Sequence, residues 1–299
     1  ALTALLAAAA LGACGGDGEG AAPGGAKRGD AAPAPQARAQ LPRGGRRLLP
    51  DFRVVTLYGA PQAEELGALG IGSPRSAARR AVRQAQAYEG RGRRVLPGLQ
   101  LLATIANAAP GEDGKYRTRQ SDATIARYLR AARRERALLV LDVQPGRADF
   151  MDEVRHLRRW LREPDVGLAL DPEWSMDADE VPGQTIGDTD ARTVNEVAAE
   201  LARIVRERDL PEKLLVVHRF TLDMLVDEEA IRRPPGVALV EMADGFGPPS
   251  GKISKYRTFT REGDGMQEGF KLFYREDTDL MSVREVLRLR PEPDVVVYE

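Results

Sequence analysis

One cysteine in 299 residues leaves no partner for an internal disulfide, so the fold rests on its core alone. Two histidines, with no H-x-H on the first apolar run, are too few for a His-rich zinc centre. A carboxylate-held Mg²⁺ or Ca²⁺ stays open. No apolar run approaches the roughly twenty residues that cross a bilayer as a helix. No glycine-rich dinucleotide turn follows the first strand, where Leu57-Tyr58-Gly59-Ala60-Pro61 lacks G-x-G-x-x-G. The loops after the seventh and eighth strands offer no phosphate cradle, so neither a nucleotide cofactor nor a phosphorylated substrate is expected. A surplus of charge is missing too. The 44 basic and 45 acidic residues leave a net charge of −1, which argues against nucleic acid as a partner.

What is present begins with Ala-Leu-Thr-Ala-Leu-Leu-Ala-Ala-Ala-Ala-Leu-Gly-Ala over residues 1–13. This uncharged run has the length of a signal-peptide core, about 7–15 residues, not of a membrane span. The segment Leu11-Gly12-Ala13-Cys14 resembles the lipobox of bacterial lipoprotein signal peptides. That resemblance implies cleavage before Cys14, lipidation of Cys14, and a mature protein anchored to the extracytoplasmic face of the cell membrane. Residues 15–45 are dominated by Gly, Ala and Pro, with Leu41 as the one large aliphatic residue. Such a stretch buries too little apolar surface to offset its ordering entropy and is expected to be disordered. The expected divisions are therefore a signal peptide over 1–13, a lipidated tether over 14–47 and a folded domain over 48–299. Arg43-Gly44-Gly45-Arg46-Arg47 reads as the solvated end of that tether, within reach of anionic headgroups.

Beyond residue 50, eight nearly continuous apolar runs alternate with amphipathic segments. The runs are Arg53–Tyr58, Leu99–Ile105, Ala137–Asp142, Gly167–Asp171, Leu214–His218, Val237–Glu241, Phe270–Tyr274 and Asp294–Tyr298. Unbroken apolar runs mark parallel strands buried on both faces. Helix signals lie between them. Ser73-Pro74 opens a helix closed by Gly90, Asp149 precedes Phe150–Arg162, Thr189 or Asp190 opens one reaching Arg208, and Ser282 caps Val283–Leu289. Residues 251–262 carry the weakest helical pattern. Eight strands alternating with helices in about 250 residues indicate an α/β fold, a (β/α)8 TIM barrel, with an open doubly wound sheet as the alternative.

In such barrels the chemistry sits at the C-terminal ends of the strands. Those ends are rich in acids: Asp142 on strand 3, Asp171 and Glu173 on strand 4, Glu241 and Asp244 on strand 6, and Glu276 and Asp277 after strand 7. Each has a plainer role available. Asp142 can cap a helix or pair with Arg147, His218 after strand 5 can be a satisfied structural group, Asp244 can shape a turn, and Glu276 and Asp277 can solvate a loop. His156 falls within a helix and reads as structural. The Asp171/Glu173 pair is the clearest signal, because period-2 spacing at a strand end points both carboxyls the same way, with Trp174 beside them. Crowded carboxyls raise one another's pKa, as acid–base work requires.

Gly167-Leu168-Ala169-Leu170-Asp171-Pro172-Glu173-Trp174 is similar to the fourth-strand motif D-G-x-D-x-D-x-E of chitinase-type, family 18 glycosidases, matching at Gly167, Asp171 and Glu173. Val166 and Ala169 occupy its other two acidic positions. The resemblance implies that Glu173 is the general acid and Asp171 orients substrate and stabilises the intermediate. Strand 6, Val240-Glu241-Met242-Ala243-Asp244, is loosely similar to the family's Met-x-Tyr-Asp and lacks its tyrosine. Over most of the domain the chain also resembles actinobacterial-type lipoproteins, through Asp142–Gly146, Gly167–Trp174, Lys213–His218 and Phe273–Asp277; this implies architecture and location but no reaction.

The expectation is a glycosidase-like hydrolase acting on an envelope or environmental glycan. Glu173 would protonate the leaving oxygen, with Asp171, Glu241 or a strand-7 acid as base, nucleophile or charge stabiliser, and Trp174 and Tyr58 as stacking surfaces. Asp142, His218, Asp244, Glu276 and Asp277 complete the candidate substrate-binding set. The competing expectation is a non-catalytic glycan-binding or scaffold lipoprotein.

Overall fold

The computed structural model describes residues 38–260 and 266–299. The segments expected to be a signal peptide and most of a tether, with Cys14 between them, lie outside the described residues. Eight parallel strands follow one another: β1 (Phe52–Gly59), β2 (Arg94–Ala106), β3 (Leu138–Val143), β4 (Val166–Leu170), β5 (Lys213–Arg219), β6 (Val237–Ala243), β7 (Gln267–Leu272) and β8 (Val295–Tyr298). Strand β1 pairs with β2 on one side and with β8 on the other, which closes the sheet into a (β/α)8 barrel and excludes the open doubly wound alternative. A short strand, Arg117–Arg119, runs antiparallel to the end of β2 and extends the rim there.

The apolar runs have two destinations. Val55, Leu57, Leu139, Leu141, Leu168, Leu170, Leu215 and Val217 point outward into the helix layer, while their neighbours Val54, Val140, Ala169 and Val216 fill the barrel interior. Burial on both faces is what makes these strands read as continuous apolar stretches, with each buried Val or Leu contributing about 1.5–3 kcal/mol. This alternation also decides where every polar strand residue goes.

The outer layer is built from α1 (Pro74–Gln86), α2 (Asp122–Arg134), α3 (Phe150–Leu161), α4 (Ala191–Arg208), α5 (Pro249–Phe259) and α6 (Val283–Val286). Ser73, Ser121, Asp190 and Ser282 accept backbone N–H groups at the starts of α1, α2, α4 and α6. Between β5 and β6 there is no α-helix. Turns at Leu222–Met224 and Glu228–Ala230 cover the sheet there, tied to α4 by hydrogen bonds of Asn195 with Ala230 and Arg232. Among the described residues no helix is long and apolar enough to cross a membrane.

Residues 38–47, expected to lie in a tether, are packed on the barrel. The folded unit starts at Arg38, so residues 38–47 belong to the domain. Leu41 is buried with Leu48, Leu49 and Phe52 in the cluster that fills the barrel interior. Arg38 and Arg46 both pair with Asp209, at 2.6 and 2.8 Å, and Glu212 accepts the backbone N–H groups of Leu48 and Leu49. A lone leucine in a Gly/Pro-rich stretch cannot nucleate a core of its own, but it can complete one that the barrel already offers.

Candidate active site

Five strand residues, Tyr58, Gln100, Asp142, His218 and Lys271, share the inward register at the C-terminal end, and Asp171 and Glu299 follow directly on β4 and β8. Gln144, Glu173 and Asp244 join them from the loops after β3, β4 and β6. Together they build the floor and one wall of a cavity of about 290 Å³, whose lining includes Tyr58, Gln144, Asp171, Glu173, Asp244, Lys271 and Glu299. Its upper wall is apolar and aromatic, with Leu66, Leu102, Ile105, Trp174, Phe220, Phe246 and Phe273. Phe246 is 63% exposed and packs edge-to-face on Phe273, a wet aromatic lip over a charged floor.

The floor is a charge network, buried except at Glu299. Asp244 Oδ2 lies 2.8 Å from His218 Nδ1 and 3.0 Å from Lys271 Nζ, and Lys271 Nζ lies 2.7 Å from Glu299 Oε2. On the far side of the imidazole, His218 Nε2 is 3.2 Å from Asp142 Oδ2, which also accepts the Gln100 amide at 2.6 Å. The neutral ring donates from Nδ1 to Asp244 and accepts at Nε2 from Gln100, 2.9 Å away; the charged ring points its second N–H at Asp142. Burial opposes the charge on His218, yet the hydrogen bonds and charges of Asp142 and Asp244 outweigh it and push its pKa up to about 10. Burial would likewise raise Asp244, but Lys271 and His218 hold it well below the usual carboxylate range. Lys271 is held cationic against burial by Asp244, Glu299 and Asp171, and its ammonium sits 4.2 Å from the centre of the Tyr58 ring.

Asp171 and Glu173 stand apart from this network. Burial pushes Asp171 up to about 8, with His218 pulling the other way and Asp142 adding to the rise. Its side chain accepts one hydrogen bond, from Gln144 Nε2 at 3.2 Å. The same amide donates to Tyr58 Oη at 3.3 Å, while Gln144 Oε1 accepts the Ala106 N–H. Glu173 is half-buried, and burial and then Asp244 raise its pKa. Among the described residues its carboxyl makes no hydrogen bond or ion pair. Asp171 thus keeps its proton up to about pH 8 and Glu173 titrates above the ordinary carboxylate range, while Asp244 beside them stays ionised, the separation that acid–base chemistry uses.

Several expected positions move. Strand β4 ends at Leu170 and Pro172–Trp174 form a 3₁₀ turn, so Asp171 and Glu173 reach one cavity through that turn and not through strand periodicity. Glu241 shares the outward register of Leu239 and faces the helix layer, where its Oε1 accepts from Arg219 at 2.7 Å. It is not in the cavity. Asp277 is a loop staple: its oxygens accept the Gly247 and Phe273 N–H groups and pair with Lys252 at 3.0 Å. Glu276 is exposed and lines a separate small crevice with Glu64 and Arg275. Tyr58 lines the cavity, but its ring lies under Lys271 and against His218, so it is a wall and not a stacking platform. Trp174 lines the apolar wall together with Phe220 and Phe246, two residues that were not among the candidates. Gln100, Gln144, Lys271 and Glu299 were missed as well. His156 lies on α3, away from the cavity lining.

A wider polar cavity of about 500 Å³ lies between the starts of α3 and α4, lined by Asp149, Asp177, Asp188 and Asp190 among others, and holds none of the inward strand residues. Among the described residues no group of three or more His, Cys, Asp and Glu side chains is arranged to hold a metal ion. Comparison with models of known families finds no match to this chain, and comparison with curated proteins finds none either.

Proposed function

We propose that this chain is a lipid-anchored extracytoplasmic lipoprotein whose barrel hydrolyses a glycan of the envelope or the surroundings, with Glu173 as general acid. The observation that carries this reading is the Glu173 carboxyl itself. It borders an aromatic-lipped cleft, its pKa is raised, and its proton is not committed to any described partner. A sugar ring stacked on Trp174, Phe220 or Phe246 would bring a glycosidic oxygen within its reach. Asp171, positioned by Gln144, would face the ring and meet the positive charge that develops there. The ionised Asp244, clamped by His218 and Lys271, holds the floor rigid and keeps the Glu173 proton from leaving early. The local similarity to family 18 glycosidases supports the same two roles for the same two residues.

The test is Glu173→Gln. This variant should keep the wild-type melting temperature and circular dichroism yet lose hydrolysis of active glycans by at least a hundredfold. Turnover in the wild type should also decline on the alkaline side as Glu173 ionises, and the variant should show no such limb. Undiminished turnover in Glu173→Gln sinks the assignment. Glycans bound by both proteins but cleaved by neither would favour the non-catalytic binding reading.

A further inference from the structure

The closed end of the barrel carries its own chemistry. The described segments there are 38–51, 89–94, 133–137, 162–165, 206–213, 232–236 and 288–294, and they hold eighteen Lys and Arg against ten Asp and Glu. The whole chain has 44 basic and 45 acidic residues, so the positive charge is gathered at one end. Arg91, Arg94, Arg134, Arg136, Arg206 and Arg208 are exposed and make no ion pair among the described residues. Arg134, Arg206 and Arg208 lie in last helical turns, where the helix dipole favours a cation. That account does not reach Arg91, Arg94 or Arg136, which lie beyond the helix ends.

Arg94 and Arg136 line a built feature. A crevice of about 460 Å³ is lined by Arg43, Arg93, Arg94, Arg136, Glu89 and Glu135, with Arg43 paired to Glu89 and Arg93 to Asp294. Arg94 stacks on the Phe52 ring at 4.2 Å and donates to the Arg43 carbonyl, and Arg136 donates to the Pro42 carbonyl at 2.9 Å. Each guanidinium gives an N–H to a backbone carbonyl, which carries no formal charge, so both keep their positive charge unneutralised among the described residues. Arg38, where the described chain begins, is fastened to Asp209 at this same end, opposite the cavity.

We propose that this arginine-rich end is a docking surface for an anionic lipid bilayer, with headgroup phosphates entering the crevice between Arg94 and Arg136. Guanidinium groups bind phosphate through paired N–H donors, and each basic side chain near an anionic surface adds favourable energy. The choice of a bilayer as partner rests on the lipid-anchor reading, so the experiment removes the anchor and tests the surface alone. Because the folded unit is closed from Arg38 onward, residues 14–299 carrying Cys14→Ala serve.

This protein should float with vesicles of phosphatidylcholine containing phosphatidylglycerol, not with phosphatidylcholine alone, and should detach as salt rises. Arg91→Gln/Arg94→Gln/Arg136→Gln should weaken that partition on the order of a hundredfold. Arg75→Gln/Arg192→Gln/Arg275→Gln removes the same charge from the cavity side and should leave it near the wild-type level. Arg91→Gln/Arg134→Gln, which touches no packed arginine, should give an intermediate loss if the first variant proves unstable. Equal losses in both triple variants, or no binding to the anionic vesicles, would overturn the docking surface. Fatty-acid labelling of intact Cys14 in cells tests the anchor separately.

Discussion

Asp171 and Asp244 are both buried aspartates at the cavity, and their neighbours send them in opposite directions. Asp244 has an imidazole and an ammonium within 3.0 Å and stays ionised. Asp171 has one neutral amide and is pushed up to about 8 from an ordinary 3.8. Between those two pH values the folded state binds a proton that the unfolded chain has released, so this residue's contribution to stability is lost as pH rises through about 8. Asp171→Asn removes that dependence. It should raise Tm relative to wild type at pH 9 and give no gain at pH 4. Thermal melts of the two proteins across pH check this; a pH-independent difference would mean that Asp171 is already ionised in the fold.

At the scale of elements, the strands were legible because burial on both faces leaves an unmistakable apolar run, whereas their ends and registers were not. Strand β2 starts at Arg94, five residues before the expected Leu99, because Pro97 and Gly98 look like breakers. Gly98 in fact faces Thr56 across the interior, where a Cβ would come within 2.8 Å of its methyl. Helix α5 was the weakest pattern because its buried face includes Lys252, whose ammonium is satisfied by the carbonyls of Gly245 and Lys271 and by Asp277. Helix α2 passed unmarked although Ser121 caps it and Ile125, Tyr128, Leu129 and Ala132 share its buried side. The acids of the site were visible as residue types, but the inward or outward choice that separates Asp142 from Glu241 needs the register of each strand. Lys271 carried a usable signal, a lone charge between Phe270 and Leu272 that could only face inward. The segment 38–47 had none, since Leu41 gains its meaning from the barrel end it plugs. Leu41→Ala should therefore destabilise the domain by about 2–5 kcal/mol in urea unfolding, the cost of a core leucine. A change below 0.5 kcal/mol would return the residue to the tether.

The whole molecule is polar from end to end, with an acid-bearing cavity where the strands finish and an arginine-rich surface where they start. The chain enters at the basic end, on the side away from the cavity. If Cys14 carries lipid, the barrel meets the bilayer with its arginines and turns its cleft outward, toward polymers instead of headgroups. A lipid on Cys14 and a basic surface are two separate contacts with the bilayer. The two contributions differ in how they fail. Salt screens the charge attraction but does not extract an acyl chain. In cells, the intact protein should take up a fatty-acid label and remain with membranes through a high-salt wash. Cys14→Ala should take up no label, remain with membranes at low salt through its basic end, and be released by the same wash. Label persisting in Cys14→Ala would place the lipid elsewhere. Retention of that variant at high salt would mean that something other than lipid and arginine holds the barrel at the membrane.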